Sequence, residues 1–141
     1  MIVQDFILPD YLWKVRVYYA VRGYWTREIL EELRAIGCNG VNLANARDSL
    51  VRNELNTGLT YSNYEGKRTL MVISLTTTPA EFLNSWSHEM RHLSRHVEQA
   101  FSISPYGEEA AYLAGTIAQK MFPVAKRFLC EHCRQKVVKH Y

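Results

Sequence analysis

The chain has 141 residues, of which 48% are apolar and 22% charged. With nine Tyr and three Trp this balance points to a single folded domain over 1–141 and excludes a disordered chain. Its 17 Lys and Arg against 14 Asp and Glu leave a formal charge of +3 with no block of like charge, so nucleic acid is not an expected partner. The longest purely apolar run, Leu70-Met71-Val72-Ile73, is far too short to cross a bilayer, and no basic stretch opens the chain as a signal peptide would. Three Cys, an odd number, fit a reducing, cytoplasmic setting better than a disulfide framework.

Residues 1–10 read as a lead-in ending at Pro9-Asp10. The run 12–21 alternates, with Trp13, Val15 and Val17 on one face and Lys14 and Arg16 on the other, which predicts a strand that Gly23 ends. Thr26 is a suitable N-cap for a helix over 27–36, with Ile29, Leu30, Leu33 and Ile36 as its buried stripe and Gly37 as its stop. After a turn at Cys38-Asn39-Gly40, a second helix is predicted over 43–55. Two strand-like runs, 59–64 and 67–75, joined at Glu65-Gly66, read as a hairpin.

Thr78-Pro79 then caps the longest helix, running to about residue 101. At about 100° per residue, Phe82, Leu83, Trp86, Met90, Leu93, Val97, Ala100 and Phe101 share one arc, and His88 and His92 lie roughly opposite it. A break around Pro105 leads to a helix over 108–122 that halts at Pro123, and the tail 124–141 reads as a basic terminal helix carrying Cys130-Glu131-His132-Cys133. The expected fold is α+β, a small antiparallel sheet packed by helices, with the helix that bears both His at its centre.

Within that helix, His88-Glu89-Met90-Arg91-His92 has the spacing H-E-x-x-H. Imidazoles four residues apart project from one side of a helix and can reach a single zinc ion, with the glutamate placed as general base. A catalytic zinc usually has three protein ligands. Glu108 and Glu109 are the candidates for the third. Glu108 lies beside a seam of small residues, Ala111 and Gly115, expected to let the helix over 108–122 approach the His-bearing one closely, whereas Glu109 projects to the polar side. His96, one further turn along, is a surface or supporting polar group in this reading.

His88–His92 followed by Gly107-Glu108-Glu109-Ala110-Ala111-Tyr112-Leu113-Ala114-Gly115 resembles small zincin-like proteins of phages and mobile elements, which carry H-E-x-x-H and then E-x-x-A-Y-L-x-G. The matched positions are Glu108, Ala111, Tyr112, Leu113 and Gly115, and the resemblance covers about residues 74–122. More broadly the chain is similar to a minimal gluzincin, a zinc peptidase with two His and one Glu as ligands. The resemblance implies a zincin-like fold, a zinc-dependent, metallopeptidase-like hydrolase acting on a peptide or protein, and zinc held by His88, His92 and Glu108, with Glu109 the alternative. Glu89 would be the base, Tyr112 a candidate oxyanion stabiliser, and 67–75 the strand lining the cleft. The rival expectation is a non-catalytic phage or mobile-element accessory or interaction protein that retains the metal site. Cys130 and Cys133, set within a predicted helix, lack the helix-terminal position a redox pair normally takes.

Overall fold

A computed structural model describes residues 2–22, 25–52 and 54–138; Gly23 and His140 lie outside this set. Its elements, in chain order, are β1 (Ile2–Leu8), β2 (Trp13–Val21), α1 (Thr26–Ala35), α2 (Gly40–Val51), β3 (Gly58–Asn63), β4 (Arg68–Ser74), α3 (Pro79–Ala100), α4 (Glu108–Ala125) and α5 (Glu131–Val138). The architecture is α+β. Four strands form one sheet in the order β1-β2-β4-β3. No helix of the described residues is long and apolar enough to cross a membrane.

The expected lead-in is a strand. β1 pairs antiparallel with β2, from Ile2 opposite Tyr19 to Leu8 opposite Trp13. Its alternation is incompletely apolar, because Gln4 hydrogen-bonds to Tyr19 and to the Lys120 carbonyl while Asp5 pairs with Arg16 at 2.8 Å. Arg16 and Tyr19 belong to the next strand, whereas Lys120 lies 116 residues from Gln4.

The sheet is mixed rather than antiparallel throughout. β3 and β4 form the expected hairpin, but β4 lies parallel to β2. Two helices, one out and one back, return the chain to the end of the sheet where β2 finishes, so β3 runs against β2 and β4 runs with it. The strand expected to line a cleft is therefore central, and β3 is the edge on that side of the sheet.

Helices cover both faces and define two cores. Trp13, Val15, Val17, Tyr19, Met71 and Ile73 face α3 and α4, while Tyr18, Val21, Leu70 and Val72 face α1 and α2. A bulge between Tyr18 and Val21, with Ala20 at φ 58°, puts Tyr19 and Ala20 in the first core and returns Val21 to the second.

Boundaries moved for local reasons. α2 starts three residues before the expected 43 and stops at Val51, well short of 55. α4 continues through Pro123 to Ala125, because Met121, Ala125 and the following Phe128 are buried in the larger core. The tail is a 3-10 turn over Lys126–Phe128 and then α5, rather than one continuous helix.

Candidate metal centre

α3 carries the centre, and its start is well defined. The Thr78 hydroxyl oxygen accepts from the Glu81 backbone N–H at 3.1 Å and the same hydroxyl donates to the Glu81 carboxylate, with Pro79 opening the helix. Phe82, Trp86, Leu93 and Val97 are buried, and His88 and His92 are exposed beyond them. Their Nε2 atoms are 3.2 Å apart, with ring centroids at 4.9 Å. Two nitrogens bound tetrahedrally to one zinc at the usual bond length sit about 3.3 Å apart. The pair therefore fits one ion.

The acidic residues are arranged differently. Glu89 is buried at 2% exposure, and its two carboxylate oxygens accept hydrogen bonds from the Thr57 and Thr60 hydroxyls, each at 2.7 Å. Gly58, between those threonines, lets the strand approach this close: a Cβ there would stand 1.9 Å from the Val72 carbonyl oxygen and 3.1 Å from Glu89 Cγ. The carboxylate is thus committed to joining α3 to the edge strand.

Glu108 and Glu109 open α4 at the far end of the α3–α4 hairpin. Glu109 accepts from the Tyr11 hydroxyl at 3.2 Å, and the Tyr11 ring packs 5.0 Å from that of Phe101, the residue ending α3. Burial first, and then the Glu109 carboxylate, push the Tyr11 hydroxyl above its ordinary pKa. Glu108 shares a cavity of about 500 Å³ with Leu8, Tyr11 and Tyr112, and His88 and His92 are not among its lining residues. Along α3 the eight residues from His92 to Ala100 span about 12 Å. The expected close seam is absent too, since Ala111 is exposed and nothing stands within 4 Å of a Cβ built at Gly115. Tyr112 is 73% exposed. Among the described residues no three His, Cys, Asp or Glu converge where a metal ion could be held. The two histidine nitrogens thus stand at the spacing one zinc ion would need, and among the described residues no third donor joins them.

Two features of this region were not read from the sequence. One is a hydrogen-bonded chain from the core to α3: Trp13 Nε1 donates to Thr69 Oγ1 at 2.8 Å, Thr69 meets Ser62 at 2.7 Å, and Ser62 meets His96 Nδ1 at 2.6 Å. Burial, followed by the nearby His92, lowers the His96 pKa, so its neutral form is favoured. The other is Glu98, fully buried, with its carboxylate 3.1 Å from Arg91 and 3.9 Å from Arg95. A helical-wheel signal existed for Glu89, which falls about 20° from Phe82, just beyond the edge of the apolar arc. None marked the His96 chain, whose members come from four separate elements.

No protein-family model matches the chain, and no curated protein or solved structure matches it.

Proposed function

We propose that this is a non-catalytic accessory or interaction protein, of the phage or mobile-element kind its motifs resemble, that retains a zincin-like metal site of two histidines. The observation carrying the reading is the 3.2 Å convergence of His88 and His92 Nε2 on an exposed helix face, with no third donor beside it among the described residues. Zinc bound there would join two side chains one turn apart and stiffen the exposed face of α3. Wild-type protein titrated with zinc should melt at higher temperature, and His88→Ala or His92→Ala should abolish that shift. An equal shift in all three proteins would sink the reading.

The zinc-dependent, metallopeptidase-like hydrolase remains a second reading, favoured by one observation. Glu89 follows His88 directly, and its carboxylate is held by two neutral hydroxyls rather than by a cation. Comparing wild type with Glu89→Gln on a broad peptide library separates the two. Cleavage by the wild type that the substitution removes would establish the hydrolase and overturn the accessory reading; equal background from both supports the accessory role.

A further inference from the structure

The strongest unassigned chemistry lies at the other end of the larger core. After α4, the turn Lys126–Phe128 buries Phe128, whose ring stacks 4.7 Å from Phe82 and 5.8 Å from Tyr19. This anchor makes the chain leave the core before α5 begins, so the cysteines do not sit inside one long helix. Cys130 immediately precedes α5, and its carbonyl accepts the Arg134 backbone N–H at 2.8 Å, which makes it the residue capping the helix. Cys133 is in the first turn. Both thiols are free and exposed.

We propose that Cys130 and Cys133 form a dithiol site that exchanges with glutathione-class disulfides and closes into an intramolecular disulfide. Cys130 and Cys133 stand three residues apart across the first turn of α5, a spacing that puts their side chains on one face of the helix. The Cys133 backbone and thiol, and then the His132 backbone, hold the Cys130 thiol below its ordinary pKa, against desolvation and the charge of Glu131. Cys133 is pushed up by Cys130, with Lys136 and Lys126 opposing. The pair is therefore asymmetric, with Cys130 the attacking sulfur and Cys133 the resolving one. The terminus is also held in place: Arg134 donates to the Thr76 carbonyl at 2.5 Å and to Glu131 at 3.1 Å, and Val137 packs against the core.

The exchange balances without any other reagent. The Cys130 thiolate attacks one sulfur of oxidised glutathione, breaking its S–S bond and releasing one glutathione thiolate. Cys133 gives up its proton and attacks Cys130, forming the Cys130–Cys133 bond and expelling the second glutathione, which takes up a proton. Two protein thiols are oxidised and one disulfide is reduced to two thiols. Cys38 is an internal control, being buried, with burial pushing its thiol up.

The test uses the full chain equilibrated with mixtures of reduced and oxidised glutathione, quenched with acid, alkylated and mapped by mass spectrometry. The wild type should pass to a Cys130–Cys133 disulfide in one glutathione-dependent step, with Cys38 still reduced. Cys133→Ser should trap glutathione on Cys130, and Cys130→Ser should acquire it on Cys133 severalfold more slowly. Both positions are exposed, and circular dichroism verifies that the serine variants keep the fold. Equal trapping rates in the two variants, stable mixed disulfides on the wild type, or disulfide-linked dimers in place of the internal bond would each overturn the proposal.

Discussion

Glu89 shows how one side chain can carry a motif position and a structural one together. Its carboxylate ties α3 to β3 through Thr57 and Thr60, and the tie depends on the missing side chain at Gly58. Gly58, at φ 153°, has no room for a Cβ 1.9 Å from the Val72 carbonyl. Gly58→Ala should therefore cost about 2 kcal/mol or more, measured as a lowered urea midpoint. An unchanged midpoint would refute that account of the close approach. His96 gives a pH dependence. Its folded pKa lies below the ordinary 6.5, so the unfolded chain binds the proton first as the pH falls. The associated stability is complete above 6.5 and is lost as the pH drops from there toward the depressed folded value. Urea midpoints taken from about pH 7.5 to 5 should fall less steeply in His96→Gln than in the wild type; parallel curves would exclude His96 as the source.

At the scale of elements, α3 was legible because its signals are local. The Thr78-Pro79 start, the Glu81 cap and the stripe of Phe82, Trp86, Leu93 and Val97 all depend on neighbours within a few turns. α4 was legible as a helix and in its main apolar face, but not in how far that face extends. Ala111 and Gly115 look like a packing seam on a wheel, yet the apolar face formed by Ala110, Leu113, Ile117 and Met121 settles which side meets the core. Gly115 is left in open space, where a methyl group meets nothing within 4 Å. Gly115→Ala should thus stabilise the protein by about 0.5–1 kcal/mol through helix propensity alone. A destabilised variant in thermal melts would mean that the seam is in contact after all. β1 was missed because its alternation is blurred by Gln4 on the inner face, whose partners lie on β2 and α4, and by exposed Val3 and Ile7 on the outer one.

Across the whole molecule, β2 and β4 supply residues to both cores. Leu70 and Met71 are adjacent, and they point into different cores. Each is almost completely buried, so Leu70→Ala and Met71→Ala should each cost about 2–5 kcal/mol. Because the sheet is common to both layers, each should shift the same single transition, with near- and far-UV circular dichroism coincident. Two separated transitions in either variant would show that the layers unfold independently. By itself the sequence determined the α+β class, the central helix and the pairing of His88 with His92, since helical spacing and capping act over a few residues. Tertiary structure alone decided that β4 runs parallel to β2, that β3 is the edge, and that Glu108 and Glu109 open α4 beside Tyr11 and Phe101. It also placed Cys130 at a helix start, because burial of Phe128 interrupts the helix before it. Strand direction, helix rotation and the end of a hairpin at which a residue falls are set by what packs against each element, and that information is spread over the whole chain.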